Sequence, residues 1–438
     1  MEEKKEIVLV ICSTLNQITN YLVIKFLEKK YSIKKIYNIT YKDETKKYFN
    51  LNIKNNEWDK WLENMDIGIK INHYHIKDLF NIETMQEEIQ DNIIKNCKKD
   101  EIYWHITGGQ RTIALAVSNL MQEDDTRKND KLMYIEGNSE KLILNNSQGK
   151  LLSNQYENYG YRDLDFETVL KLVGFNTKSN LKSTKVLKKK LKNPLKNDFE
   201  YKFYIELYKI ILKEAEGKSN KYKIEYKDNK IVKVCEDSFR NLLLKSNAVK
   251  NSKDNHERRE FIIKVFEVLM SEYEGLKDIG YDIINSHEVC AASYPAGYIF
   301  EKITSYVIYD LVKNNDSIVD MRTSLKTYFE NENNDIVDEL DIVLLKDTGK
   351  IINFECKSGG LKGDNAKSHN YTTYRLAGVF GMPLLLSPLF KKESIINTGT
   401  NKELKKQKLA LNAAKNAELE VICFDELSTI EKLINDKL

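Results

Sequence analysis

Proline is nearly missing from this chain, at 4 of 438 residues. Cysteine is sparse too: six, at positions 12, 97, 235, 290, 356 and 423, with no CxxC pair. That spacing excludes the common structural zinc motifs and a disulfide framework, and it fits a reducing cytoplasm. No apolar run reaches the about 18 residues of a membrane span, and the opening MEEKKEIVLVICSTL is too short in hydrophobic residues for a signal peptide. A cytoplasmic protein that engages no membrane is expected. Net charge is scarce as well, because 69 basic side chains nearly cancel 66 acidic ones to leave +3. Attraction to a polyanion would have to come from local patches. What the chain does have is bulk: 41% hydrophobic and 31% charged residues over 438 positions predict at least two domains.

From residue 7, short β-branched runs alternate with amphipathic stretches, the order of a parallel sheet with helices on its faces. IVLVIC (7–12), KKIYNIT (34–40), IKINHYHI (69–76), EIYWHI (101–106) and LMYIE (132–136) read as strands, with helices over 17–29, 83–99 and from TGGQR to Met121. This predicts a Rossmann-like α/β domain over 1–150, closed by LMYIE. Residues 151–255 read as a linker or insert, partly helical and Lys-rich. Within it, 177–197 carries eight lysines and no acid, which suits a solvated linker or a nucleic-acid-facing arm. YKFYIELYKIILKEAE (201–216) reads as a helix that packs on something. Residues 256–438 predict helices over 257–274 and 296–312, strands over 319–329, 338–345 and 351–357, then helix 366–380, strand 383–387, helix 402–417 and strand 420–424.

The centre of that last region, ELDIVLLKDTGKIINFECK, carries its chemistry. Asp347-Thr348-Gly349 suits a three-residue hairpin loop with Gly in the left-handed position. Counting outward puts Leu345 across from Ile351, Val343 across from Asn353, and Asp341 across from Glu355. Leu340, Ile342 and Leu344 would share the apolar face with Ile352, Phe354 and Cys356. Opposed side chains have Cβ atoms about 5 Å apart, where two carboxylates at an effective dielectric near 20 repel by roughly 3 kcal/mol. A divalent cation between them reverses that repulsion, since Mg²⁺ or Mn²⁺ takes carboxylate oxygens and keeps waters for a phosphate substrate. Lys357, on the face of Glu355, can then stabilise charge on a phosphorane or orient a water.

Asp341 followed by Glu355-Cys356-Lys357 resembles the D…(D/E)XK signature of PD-(D/E)XK nucleases, whose core runs helix, three strands, helix, strand. Gly297 and Glu301 resemble the Gly-x-x-x-Glu helix of that superfamily, which implies Glu301 as a further metal ligand beside Asp341 and Glu355. Glu339, two residues before Asp341, is a candidate auxiliary ligand. Lys362, Lys367 and His369 in a Gly-rich polar loop, then Tyr371, Tyr374 and Arg375, would sit near the site on that fold, and the loop lysines are candidates for phosphate contact.

The N-terminal domain offers a second site. In HITGGQRTIALAVSNL two glycines join a strand end to a helix start, where backbone N–H groups and the side chains of Thr107, Gln110 and Arg111 can meet an anion. The spacing is neither GxGxxG nor a P-loop. Ser13, Thr14, Gln17 and Asn20, after the first strand, form another polar cluster, and such loops meet at the carboxyl edge of an open parallel sheet. Strand–TGGQR–helix with S-T-x-x-Q-x-x-N resembles CARF domains, the cyclic-oligoadenylate sensors of type III CRISPR defence. Together the two halves resemble CRISPR ancillary nucleases that join a CARF sensor to a PD-(D/E)XK, restriction-endonuclease-like effector. The resemblance implies a homodimer that binds one cyclic oligoadenylate, cyclic tetra-adenylate by ring size, through Ser13, Thr14, Gln17, Asn20, Thr107, Gly108, Gly109, Gln110 and Arg111. It further implies Mn²⁺- or Mg²⁺-dependent endonuclease cleavage of DNA or RNA. A HEPN ribonuclease is disfavoured, since none of the eight arginines has a histidine four to six residues downstream. A ligand-gated nucleic-acid-binding regulator with a non-cutting nuclease-like fold is the alternative.

Overall fold

The computed structural model describes residues 4–41, 57–123, 125–146, 157–176, 199–215, 225–227, 230–233, 295–329, 336–357, 363–391 and 402–436. The Lys-rich segment 177–197, the expected helix over 257–274 and Lys362 lie outside the described residues. In chain order the first part holds β1 (Glu6–Cys12), α1 (Ile18–Lys30), β2 (Ser32–Tyr41), α2 (Glu57–Glu63), β3 (Ile71–Ile76), α3 (Ile82–Asn92), β4 (Ile102–His105), α4 (Arg111–Glu123), β5 (Lys131–Glu136) and β6 (Lys141–Asn146). Its sheet has the order β3-β2-β1-β4-β5-β6, parallel throughout except for β6.

β1 shows why. Its aliphatic side chains are buried on both faces, as only a central parallel strand allows. Ile7, Leu9 and Ile11 pack toward α1, while Val8, Val10 and Cys12 pack toward α3 and α4. Each fully buried aliphatic side chain contributes about 1.5–3 kcal/mol. Two expectations change here. The helix expected over 83–99 stops at Asn92, whose side-chain amide donates to the Glu88 carbonyl at 2.7 Å, and a 3₁₀ turn over Ile94–Cys97 follows. LMYIE is not the last strand either, because β6 pairs antiparallel beyond it.

The second part holds α5 (Phe166–Lys171), β7 (Phe175–Asn176), α6 (Phe199–Ala215), a short hairpin of β8 (Glu225–Lys227) and β9 (Lys230–Lys233), and α7 (Pro295–Val312). It continues with β10 (Ile318–Phe329), β11 (Ile336–Lys346), β12 (Ile351–Cys356), α8 (Gly363–Ala377), β13 (Gly381–Ser387), α9 (Lys402–Asn416), β14 (Glu420–Cys423) and α10 (Ile430–Asp436). The sheet order is β14-β13-β12-β11-β10-β7, so β7 from the middle of the chain caps its edge. One face packs on α6, α7 and α10 through Tyr204, Phe300, Ile303 and Ile430, with the Tyr204 and Tyr306 rings stacked at 5.6 Å. The other face packs on α8. No described helix is long and apolar enough to cross a membrane.

One hydrophobic cluster runs through both sheets, joining Ile18 and Leu22 of α1 to Val343, Leu345 and Ile351 of the β11–β12 hairpin. The tip of that hairpin meets α1 so closely that a Cβ on Gly349, at φ 83°, would lie 2.7 Å from Ile18 Cγ2. Around the tip, Glu140 from the β5–β6 turn pairs with Lys346 at 2.8 Å and Lys350 at 3.2 Å and accepts from Thr348. The Glu140 and Lys346 side chains are each only 2% exposed.

Candidate active site

The hairpin sets the site. Lys346 N–H donates to the Lys350 carbonyl at 2.9 Å, and the ladder runs Leu345 to Ile351, Leu344 to Ile352, Val343 to Asn353 and Ile342 to Phe354. Asp341 and Glu355 are the next residues outward, and the Cys356 N–H donates to Asp341 Oδ2 at 2.7 Å. Glu355 forms an ion pair with Lys357, and its Oε2 lies 3.6 Å from His369 Nδ1 on α8. Glu301, on α7, accepts from Ser324 Oγ at 3.0 Å.

The electrostatics are those of a site short of positive charge. Burial, then the charges of Glu355 and Glu301, push the Asp341 carboxyl up to about 8. Burial also raises Glu301, against the hydrogen bond from Ser324. Burial works to lower the Lys357 ammonium, but Glu355 and Asp341 outweigh it and hold the group above its ordinary value. Lys357 therefore stays charged at neutral pH. Burial lowers the imidazole of His369, which keeps it neutral. Desolvation and the neighbouring Asp341 and Glu301 carboxyls raise the half-buried Cys356 thiol well above its usual range, so it is not a nucleophile.

Hard oxygen donors under mutual repulsion suit a divalent cation. Among the described residues, however, no three His, Cys, Asp or Glu side chains already stand in ligating arrangement. Asp341, Glu355 and Glu301 each give an oxygen to an internal partner: Cys356 N–H, Lys357 and Ser324.

Other expected residues fall differently. Glu339 pairs with Lys326 at 3.7 Å and is half exposed. Asp338, which sequence reasoning passed over, accepts from Thr372 Oγ1 of α8 at 3.0 Å, and burial raises its carboxyl in a setting that includes Arg375, Glu355 and His369. Leu340 leaves the expected apolar face: it packs with Leu325 in the cluster opposite Ile342. Lys367, Tyr371, Tyr374 and Arg375 lie on the exposed side of α8, where Arg375 covers the Phe329 ring at 4.6 Å.

At the first sheet, the loops after β1 and β4 are neighbours because those strands pair, Ile11 beside His105. Strand order reverses there, as in doubly wound folds. A Cβ on Gly108 would lie 2.8 Å from the Cys12 carbonyl and 2.9 Å from Thr14 Cβ, and Gly109 sits at φ 81°. Thr14, Gly109, Gln110 and Arg111 reach the surface, with Arg111 opening α4. Ser13, Gln17 and Asn20 are buried instead. Ser13 donates to Asp59, which also accepts from Asn38 and Thr40. Asn20 donates to the Cys12 carbonyl at 3.0 Å and to Gln17 Oε1 at 2.8 Å, which leaves its oxygen for His105 Nδ1 at 2.9 Å. Thr107 Oγ1 accepts from the Ile135 N–H at 2.7 Å.

No family model matches the sequence, and no curated protein matches it. Among solved structures, the chain is similar to protein VC1899 from Vibrio cholerae at 13% identity and a TM-score of 0.61, over 98% of this chain and 97% of that one. This is a likeness of fold along nearly the whole length. A type III CRISPR defence DNA nuclease activated by cyclic oligoadenylate aligns at 10% identity and a TM-score of 0.43, over 88% of this chain and 46% of that one. Csm6 from Enterococcus italicus, bound to cyclic hexa-2'-fluoro-hexa-dAMP, aligns at 10% identity and a TM-score of 0.22 over the full length of both. Neither of the last two likenesses reaches the level of a shared fold.

Proposed function

We propose that the chain is a cyclic-oligoadenylate-activated, metal-dependent nuclease of type III CRISPR defence, cutting DNA or RNA as a homodimer. One observation carries this reading: Asp341 and Glu301, both raised by burial and by neighbouring carboxylates, lie near Glu355 and a charged Lys357. Asp341, Glu355 and Glu301 would hold the cation, which when bound supplies a Lewis acid and an activated water at the phosphodiester. Lys357 holds a phosphate oxygen and opposes the charge that grows on it. The Cys356 N–H orients Asp341, and His369, neutral, flanks Glu355 without adding charge. A non-cutting regulator would be marked by a missing acid or lysine, and all four are present.

The sensor half of the reading rests on the paired loops after β1 and β4, with Thr14, Gly109, Gln110 and Arg111 facing outward for an anionic ring. The β1 loop also touches the nuclease half. Asn16 Nδ2 donates at 3.0 Å to the carbonyl of Ala377, the last residue of α8, and α8 carries His369 against Glu355. A ligand that shifts this loop therefore pushes on the helix that frames the acidic site.

The test is cleavage of labelled DNA and RNA with and without cyclic tetra-adenylate, in Mn²⁺ and in EDTA. Cleavage that needs both cation and activator is expected; cleavage that persists in EDTA rules out the metal site. Arg111→Ala should raise the activator concentration required about tenfold, the scale of one charge-assisted contact. An unchanged requirement removes Arg111 from the sensor site.

A further inference from the structure

Regular strands alternate their faces with period two, and β10 and β11 break that rule at the same point. Met321 packs in the cluster under α7, yet Leu325, four residues on, packs in the opposite cluster with Leu340. On β11 the same inversion separates Leu340 from Ile342. The ladder passes from the pair Thr323–Ile342 to Leu325–Leu340, and Ser324 and Asp341 are the residues between them. Ser324 has φ 48°, in the left-handed region that L side chains avoid. Its hydroxyl donates to Glu301 Oε1 at 3.0 Å.

We propose that Ser324 is the positioning residue of the acidic site: its left-handed backbone turns both strands over, so that acids from opposite faces of the sheet meet, and its hydroxyl orients the Glu301 carboxylate. The inference rests on the nuclease reading above. Without the turn, Asp338 and Leu340 would both pass from the α8 side to the α7 side, and Asp341 would not lie between Glu301 of α7 and Glu355 beside α8. A serine at a φ of 48°, where glycine would be easier, points to the hydroxyl as what is needed.

Two substitutions separate this role from a purely structural one. Ser324→Gly removes the hydroxyl and relieves the backbone; Ser324→Ala removes the hydroxyl and keeps the strain. In the full-length protein both should weaken Mn²⁺ binding, measured by calorimetry with Mn²⁺ alone, by about ten- to a hundredfold, the usual effect of removing a hydrogen bond behind a ligand. Ser324→Gly should melt at or above the wild-type temperature without metal. Cleavage by both should fall in kcat at limiting Mn²⁺, recover in excess Mn²⁺, and keep its KM for nucleic acid. Ser324→Thr, which restores the hydroxyl on a β-branched side chain, should recover Mn²⁺ affinity and melt lower. Wild-type affinity in both the Gly and Ala variants overturns the proposal, as does loss of affinity in Ser324→Gly only alongside a lower melting temperature. A wild-type protein that binds no Mn²⁺ and cuts nothing in its presence instead sinks the nuclease reading, and this inference with it.

Discussion

The β11–β12 hairpin has a buried carboxylate at each end, and the two are treated in opposite ways. At the tip, Glu140 meets two lysines and a threonine hydroxyl, so its charge is matched and its geometry closed. At the open end, Asp341 meets two further acids and one backbone N–H, and its carboxyl is pushed up to about 8. A matched buried charge holds two halves of a molecule in register. An unmatched one waits for something from solution. His105 shows a third solution: buried with Nδ1–H donating to Asn20, it gives up charge altogether, its pKa lowered to about 3 by burial.

The sharpest break of this contrast is Asp341→Asn. It should remove cleavage by at least a hundredfold while leaving the metal-free fold at least as stable, because Asn resembles the protonated acid that the site prefers. A raised carboxyl pKa means that the unfolded chain ionises before the folded one. Metal-free stability from Asp341 is thus present below about pH 4 and lost as pH rises to about 8. Denaturant unfolding across that window should show a downward slope that Asp341→Asn flattens and Mn²⁺ offsets. A variant that cuts at the wild-type rate would remove Asp341 from the site.

At the matched end, Glu140→Gln should behave in reverse. It removes the carboxylate that pairs directly with Lys346 and Lys350, leaving only the charge of Asp347 near Lys346, and should cost about 3–5 kcal/mol, the scale for one partner lost from a buried pair. Calorimetric melting checks this, and a loss under about 1 kcal/mol would show that water reaches the lysines.

His105→Gln sharpens the third case. The unfolded chain takes a proton near pH 6.5 that folded His105 refuses until about 3, so stability falls as pH drops through that window. The variant should lose part of that acid slope in urea titrations. Smallest of all, Asn16→Ala removes one hydrogen bond to Ala377, worth about 1 kcal/mol. It should shift the activator dose for half-maximal cleavage several-fold without changing the maximal rate, and an unchanged dose would show that α8 is not driven through this contact.

Much of the site was legible because hairpin register follows from local rules. The Asp-Thr-Gly loop and period-two counting placed Asp341 next to Glu355, whereas the third acid, Glu301, came only from the resemblance of Gly297…Glu301 to a nuclease-family helix. What sequence reasoning missed lies where those rules fail. Asp338 and Glu339 exchanged their expected importance because the strands turn over at Ser324, and no composition signal marks a serine held at positive φ. Glu140 was passed over because β6 was not foreseen, so the β5–β6 turn had no strand to define it. Ser13, Gln17 and Asn20 read as an outward polar cluster, yet they line up behind the loop in a buried network with Asp59 and His105. Polar type alone does not tell which side of a sheet edge a residue faces.

Legible in the residue order alone were a parallel sheet with its helices in the first part and a charged hairpin at the centre of the second, because periodicity and turn chemistry act over a few residues. Which buried charges find a partner and which stay unmatched was settled only when the chain folded. Those fates depend on what a distant helix or turn brings within about 4 Å, and at that range burial multiplies each interaction.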